Sequence, residues 1–109
     1  ALESAGLVRR PVVPRECDHN AHIYYLLMRN LDDRCQFIAN LKQQGIHTVF
    51  HYVPLHSSPQ GIRIGRVAGP MSVTESVSER LVRLPLWPGL EEVQDEVISR
   101  IIAIAEALP

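Results

Sequence analysis

The alternation of hydrophobic and polar positions divides the first half of the chain into a strand and a helix. Residues 23–28 are almost uniformly apolar, which is typical of a strand covered on both faces, so we predict a strand over 21–29. A buried helix is the alternative, but the tyrosines and the isoleucine of this segment favour a strand. Apolar residues then repeat at helical spacing over 32–44, between Asn30, which can cap a helix, and Gly45, which can end one.

The middle of the chain predicts a second strand, a loop and a short helix. Residues 46–53 are predicted to be a strand, with Val49, His51 and Val53 on one face and Thr48, Phe50 and Tyr52 on the other. The prolines and glycines of residues 55–71 predict a long loop. Ser72 and Glu75 have the spacing of a capping box, with Ser72 as the cap, so a helix is predicted over 74–83.

The two ends of the chain complete this pattern. Residues 84–89 contain two prolines, which predict a short edge strand or an extended segment, and residues 91–108 have the apolar stripe of a strong helix. Residues 1–20 are predicted to be a linker, in which Leu2–Arg10 is the end of a helix that begins upstream. The order β-α-β-α-β-α predicts an α/β domain over 21–109, in which a small sheet is flanked by helices.

Composition narrows the class of protein. The chain has 109 residues, 46% of them hydrophobic, which suits one domain with its own core, and its first residue is not Met, as expected for a piece of a longer chain. The net charge of −1 indicates no nucleic-acid partner. No apolar run approaches the roughly 20 residues of a membrane span, so we expect no membrane partner and a cytoplasmic location. Two cysteines are too few for a disulfide framework, and Cys35, on the apolar side of its helix, is expected to be a buried thiol.

Side chains that can do chemistry come together at the end of the second predicted strand. His51, Tyr52 and His56 lie there, and Pro54 fixes the direction in which the chain leaves the strand. Ligands commonly bind at strand ends in α/β folds, and imidazole and phenol groups can hydrogen-bond sugar hydroxyls, carbonyls or phosphates. In the alternative interpretation Tyr52 packs in the core and the histidines cap the loop backbone. The sequence pattern favours the functional and the structural interpretation equally.

Other polar clusters carry less information. Cys17, His19 and His22 could be metal ligands, but their spacing matches no zinc signature, so we predict no metal site. His47 and His51 are four residues apart on a strand, a spacing that does not bring them to one ion.

Motifs for other chemistry give no stronger signal. Arg63 and Arg66 could contact phosphates, although solvated loop arginines are more common. Lys42 is the only lysine, and the chain has no nucleophile elbow, no phosphate-binding glycine-rich loop and no obvious pair of catalytic carboxylates.

Four sequence segments, taken in order, resemble one enzyme family. They are NAHIYY at 20–25, R-x-x-FI-x-x-L-x-x-x-GI at 34–46, HYVPLHSSP at 51–59 and SERL-x-x-LPL at 78–86. The set is similar to the C-terminal small domain of the pyridoxal-phosphate-dependent sugar aminotransferases of the DegT/DnrJ/EryC1/StrS family. Within that family it most resembles the dTDP-4-amino-4,6-dideoxygalactose transaminases, which use glutamate to aminate dTDP-4-oxo-6-deoxy-D-glucose for surface polysaccharide and lipopolysaccharide.

The resemblance implies a homodimeric fold type I aminotransferase in which a large domain supplies the cofactor lysine and the phosphate contacts. Lys42 does not match that lysine's surroundings, so this chain alone is expected to bind no pyridoxal phosphate and to be inactive. His51 and Tyr52 are implied to contact the nucleotide-sugar substrate, and His56 to do so more weakly. Many relatives carry an aromatic residue where this chain has Gln60 and Gly61, which affects the details of the substrate contacts.

Two other functions are compatible with the sequence. The first is a self-standing α/β module that binds or senses a small ligand. The second is an architectural dimerisation domain without a ligand. The upstream coding sequence distinguishes the first of these from an aminotransferase domain, and substitution of the strand-end residues in the complete protein distinguishes the second.

Overall fold

The fold is a four-stranded antiparallel sheet with helices packed on it, and the computed structural model describes all of residues 1–109. The strands are β1 (Val8–Arg9), β2 (Tyr25–Met28), β3 (Val49–Phe50) and β4 (Leu81–Arg83). The helices are α1 (Leu31–Gln43), α2 (Pro59–Ile64), α3 (Ser72–Arg80) and α4 (Gln94–Glu106), with 3₁₀ turns at Leu55–Ser57 and Leu90–Glu92. The predicted α/β class with a small sheet and flanking helices is confirmed.

The order of strands in the sheet is β1-β2-β4-β3, and every neighbouring pair is antiparallel. Because β2 and β3 are both antiparallel to β4, they run in the same direction, and α1 connects them. The result is a split β-α-β unit in which the later strand β4 is inserted between the first two. This arrangement places the end of β3 at one edge of the sheet.

Helix α1 begins and ends where its sequence indicates. The Asn30 side chain accepts a hydrogen bond from the Asp33 backbone N–H at 2.8 Å, and Gly45 follows the helix with a φ of +76°. The helix buries Phe37 and Leu41 completely. Cys35 lies on the other side and is exposed, so the prediction of a buried thiol is wrong.

The core lies where the sheet meets α1 and α4. It is a cluster of buried side chains from the sheet, from both helices and from the segments after them: Val8, Leu26, Met28, Phe37, Leu41, Ile46, Val82, Ile101, Ile104, Ala105 and Leu108. Leu27 is also buried, and because side chains alternate along a strand it lies on the opposite face of β2. The prediction that this strand is covered on both faces is therefore confirmed.

The first 20 residues differ from the prediction of a linker that contains the end of a helix. Val8–Arg9 forms β1, and Val8 pairs with Met28 and joins the core. Before it, residues 1–7 form a hydrogen-bonded turn rather than a continuing helix. None of the four helices has the length and hydropathy required to cross a lipid bilayer.

Boundaries after residue 46 also differ. The second strand is reduced to Val49–Phe50, and the predicted loop 55–71 contains a 3₁₀ turn and α2. Ser72 is the first residue of α3 and not its cap. The cap position is occupied by Met71, whose side chain makes no capping hydrogen bond.

The last strand and the last helix are shifted as well. β4 occupies Leu81–Arg83, inside the range predicted as helix, and it is a central strand rather than an edge strand. Pro85 and Pro88 come after the strand, so neither proline removes a backbone N–H that the strand needs for its pairing. Gly89, with a φ of +94°, precedes the 3₁₀ turn, so α4 begins at Gln94 and not at residue 91.

Candidate functional site

His51 and Tyr52 lie directly after β3. The last residue of that strand, Phe50, pairs with Val82 of β4, so His51 directly follows a paired residue at the edge of the sheet. The two rings meet edge to face, with centroids 4.6 Å apart and an interplanar angle of 64°. Tyr52 is 68% exposed, which excludes the interpretation that it packs in the core of this chain.

His56 lies in the 3₁₀ turn that follows Pro54, and it is held from α3. Its Nε2 is 3.1 Å from Oε1 of Glu75, and only 15% of its side chain is exposed. An ionised carboxylate only accepts hydrogen bonds, so Nε2 donates and, in the neutral ring, Nδ1 is left as an acceptor. Glu75, which was expected to complete a capping box, instead orients this imidazole.

Helix α2 packs closely against the turn that carries His56. The Ser58 hydroxyl caps α2 by accepting from the Gly61 N–H at 3.0 Å, and it donates to the Leu55 carbonyl at 2.8 Å. A Cβ added at Gly61 would lie 1.6 Å from the Leu55 oxygen. Only glycine therefore allows this close approach, which sets the position of the turn.

We call His51, Tyr52 and His56 the strand-end site. All three lie within six residues of the chain, with His51 and Tyr52 exposed and His56 half-buried. Apolar side chains around it are strongly exposed: Val49, Phe50, Val53, Leu55, Ile62, Ile64, Val67 and Val73, of which Leu55 is the most exposed at 85%. An exposed apolar surface of this extent is typical of one that contacts other protein.

Two clefts lie elsewhere on the molecule. One, of about 560 Å³, is lined by residues of the N-terminal turn and of α4, among them Leu2 and Ile98. The other, of about 460 Å³, includes His47, Trp87 and Arg100. Neither cleft contains a residue of the strand-end site, and His47 is placed apart from His51 in a different surface feature.

The remaining candidate residues are not brought together. His19 Nδ1 accepts from the Ala21 N–H at 2.8 Å, and His22 Nδ1 is 2.9 Å from Asn20 Oδ1. No group of three or more His, Cys, Asp or Glu side chains in the structure could hold a metal ion. Arg63 and Arg66 are both exposed, at the end of α2 and after it.

The resolved pKa shifts lie at the N-terminal turn. The Arg10 backbone N–H donates to Glu3 Oε1 at 3.0 Å and its Nε donates to Oε2 at 2.9 Å. These bonds, the backbone one first, hold the pKa of Glu3 below its usual value, and the Glu3 carboxylate raises the pKa of Arg10. The pair ties β1 to the preceding turn.

Sequence reasoning assigned no role to Arg34 beyond its place in a motif. Its Cζ lies 5.3 Å from the centroid of the Phe50 ring, and its Nη1 donates to the Ser78 carbonyl at 3.1 Å. Arg34 belongs to α1, and the contact with Phe50 depends on how α1 packs beside β3. No hydrophobic periodicity could have revealed it.

Comparison with known proteins gives consistent results. The sequence model described as the DegT/DnrJ/EryC1/StrS aminotransferase family matches residues 1–103. An uncharacterized protein of Methanocaldococcus jannaschii is 35% identical over 104 residues, which span 91% of this chain and 26% of that protein. A pleiotropic regulatory protein of Geobacillus stearothermophilus is 31% identical over 93 residues, which span 84% of this chain and 25% of that protein.

Solved structures share the fold. DesV of S. venezuelae, solved in complex with a ketimine intermediate, superposes with a TM-score of 0.81 at 29% identity, over 99% of this chain and 30% of DesV. The chain thus spans between 25% and 30% of the length of these relatives.

Proposed function

The chain belongs to the DegT/DnrJ/EryC1/StrS aminotransferase family, and from this membership we propose that it is the small domain of a pyridoxal-phosphate-dependent nucleotide-sugar aminotransferase. The observation that carries the proposal is the strand-end site, where the exposed rings of His51 and Tyr52 lie near the half-buried, Glu75-bound ring of His56 on a family-type fold. The proposed reaction is the amination of dTDP-4-oxo-6-deoxy-D-glucose with glutamate as donor. The product would enter cytoplasmic precursors of surface polysaccharide and lipopolysaccharide.

The residues of this chain do not fit pyridoxal phosphate on their own. The only side-chain amine that could form a Schiff base is that of Lys42, which is exposed in the last turn of α1 and lines neither cleft. We therefore assign the cofactor lysine and the phosphate contacts to a large domain of the same polypeptide, and we predict that this chain alone is inactive. DesV, which was solved in complex with a ketimine intermediate, is about three times as long as this chain.

The proposed task of the strand-end site is to bind and orient the sugar. The hydrogen-bonding roles of the two His56 ring nitrogens are fixed. Nε2 donates to Glu75, which leaves Nδ1 to accept from a sugar hydroxyl. The Tyr52 hydroxyl can donate or accept, and its ring is supported by His51. Such contacts determine which oxo sugar is accepted, because an unpaired polar group in the closed site would penalise a substrate that lacks the matching hydroxyl.

The exposed apolar residues around the site support the proposed partners. Leu55, Ile62, Ile64 and Val73 are each more than two-thirds exposed, with values from 69% to 85%. A surface of this kind is stabilised when the large domain, or the second subunit of a homodimer, covers it. The strand-end site would then become one wall of a closed pocket.

The test uses the complete polypeptide that contains this chain. It is purified with pyridoxal phosphate and incubated with glutamate and dTDP-4-oxo-6-deoxy-D-glucose, and the nucleotide-sugar product is followed by mass spectrometry. We expect an amino sugar nucleotide and, in the enzyme alone, the visible absorption band of a bound cofactor.

Two results would contradict the proposal. One is a complete polypeptide that lacks a further domain with a cofactor lysine, which would favour a self-standing ligand-binding or regulatory module. The other is visible absorption from cofactor bound to the 109-residue chain alone.

A further inference from the structure

The two parts of the strand-end site are carried by different elements of the fold. His51 and Tyr52 follow β3, whereas His56 is held by Glu75 of α3. A substrate that contacts all three side chains requires these elements to keep a fixed separation. Arg34, on α1, contacts both of them.

The first contact of Arg34 is with Phe50, the residue that directly precedes His51. The guanidinium Cζ lies over the Phe50 ring, 5.3 Å from its centroid, which is within the range of a cation–π interaction. The ring is 46% exposed, so it is not fixed by burial in the core. Arg34 therefore limits the movement of the residue to which His51 is attached.

The second contact leads to His56 through three successive hydrogen bonds. Arg34 Nη1 donates to the Ser78 carbonyl at 3.1 Å. The Ser78 hydroxyl donates to the Glu75 carbonyl at 2.9 Å, and the Glu75 carboxylate accepts from His56 Nε2 at 3.1 Å. The guanidinium is thus connected to both halves of the site.

One donor of this guanidinium has no partner. Arg34 Nε is buried and makes no hydrogen bond in the structure. Such a group is unfavourable for stability, and buried unpaired donors in native proteins are uncommon enough to require an explanation.

We propose that Arg34 is a positioning residue that fixes the separation between His51–Tyr52 and His56, and thereby the affinity of the enzyme for its sugar nucleotide. The inference rests on the proposed function for the nature of the ligand. Its structural part, the coupling of β3 to α3 through one guanidinium, stands on the contacts alone.

Kinetics of the complete enzyme test the first part. In Arg34→Met, the contacts with Phe50 and Ser78 are lost, and we expect KM for the oxo sugar nucleotide to rise between about tenfold and 100-fold. The half-reaction with glutamate, measured alone, should change by no more than about twofold, because it does not use these contacts. Arg34→Lys retains the charge without the planar guanidinium, so its KM for the oxo sugar nucleotide should lie between those of the wild type and Arg34→Met.

The matched control is Arg100→Met. Arg100 Nη1 also donates to a backbone carbonyl, that of Gln44, at 2.9 Å, but it belongs to α4 and contacts neither half of the site. Its KM for the sugar nucleotide should remain at the wild-type value. Equal losses in both half-reactions of Arg34→Met, or equal effects of the two substitutions, would overturn the inference.

Hydrogen–deuterium exchange on the same complete polypeptides separates this inference from the proposed function. In Arg34→Met, we expect faster exchange in peptides from residues 49–58 and 72–80, and unchanged exchange in β2. If exchange changes in this way but no sugar is aminated, the proposed function fails and the coupling stands. Unchanged exchange in both segments would overturn the coupling, whatever the activity.

Discussion

The region around β2, α1 and α4 and the region from Val49 to Arg80 are stabilised by different interactions. The first contains nearly all of the buried core, with Phe37 and Leu41 completely inaccessible. The second contains no buried residue, and α2 and α3 bury none of their own side chains. It is held by local polar contacts, such as the Ser58 cap and the pair of His56 with Glu75. Burial specifies the scaffold, whereas hydrogen bonds and one close glycine contact specify the site.

The largest effect is expected from a change in the buried region. Phe37 is 0% exposed at the centre of the core, so Phe37→Ala should lower the free energy of unfolding by about 3–5 kcal/mol. Urea denaturation followed by circular dichroism measures this. The control is Leu55→Ala in the other region, which at 85% exposure should change the value by less than about 0.5 kcal/mol. Similar losses in both variants would mean that the two regions do not differ as described.

A smaller effect is expected at Gly61, where α2 packs closely against the turn that carries His56. Gly61→Ala places a Cβ 1.6 Å from the Leu55 carbonyl, so α2 must move away from the turn that carries His56. We expect a loss of about 1–3 kcal/mol, the usual range for overpacking, and a change in the chemical shifts of His56. Gly69→Ala is the control, because a Cβ there meets nothing within 4 Å. An unchanged His56 signal in Gly61→Ala would refute this packing argument.

The strand-end site itself should affect function more than stability. Tyr52 is 68% exposed, so Tyr52→Phe should leave unfolding unchanged while removing one hydrogen bond to the sugar. A loss of about 1 kcal/mol in binding corresponds to a KM for the sugar nucleotide that is about fivefold higher in the complete enzyme. His47→Ala, in a different surface cleft, should leave KM unchanged. If Tyr52→Phe retains the wild-type KM, its hydroxyl has no part in substrate binding.

The smallest effect is expected at the N-terminal turn. The pKa of Glu3 is lowered by its bonds to Arg10, so the paired carboxylate stabilises the fold above its unfolded pKa, and this contribution is lost as the pH falls through the folded value. Glu3→Gln should therefore lower the unfolding midpoint slightly at neutral pH and converge with the wild type as the pH falls below the ordinary glutamate pKa of 4.5, so that its acid profile is flatter. Both side chains are exposed to solvent, Arg10 at 64% and Glu3 at 40%, so the difference should be slight and should decrease further in high salt. An unaltered acid profile would show that the pair contributes nothing to folding.

The parts of the fold that follow from burial were predictable from the sequence. The strand at 25–28 and helix α1 have strong apolar patterns, and Asn30 and Gly45 mark the ends of the helix as expected. The segments that were wrong are those in which few residues are buried. Val8–Arg9 was not predicted as a strand, and the strand predicted over 46–53 is present but reduced to Val49–Phe50. Two residues are too few to give a period, and both short strands depend on pairing with distant parts of the chain.

The site was only partly predictable. Proline and strand pattern placed His51, Tyr52 and His56 together, but their partners come from elsewhere in the chain. Glu75 had the spacing of a capping residue, and its contact with His56 arises from the packing of α3 beside the turn. The strand β4 was predicted three residues too late, since Pro85 interrupts the pattern and the local helical preference of 74–83 was overridden by pairing with β2.

The central position of β4 has a consequence for synthesis of the protein on the ribosome. β4 begins 31 residues after Phe50 and 53 residues after Met28. At about 5–20 residues per second, β3 therefore remains without its partner β4 for roughly 2 to 6 seconds and β2 for roughly 3 to 11 seconds. During this interval only the β1–β2 pair of the sheet can exist, and four strand edges, one each of β1 and β2 and both of β3, are available to other nascent chains. A ribosome stalled before Leu81 would therefore hold an aggregation-prone intermediate, and chaperone demand should be greatest at that point of translation.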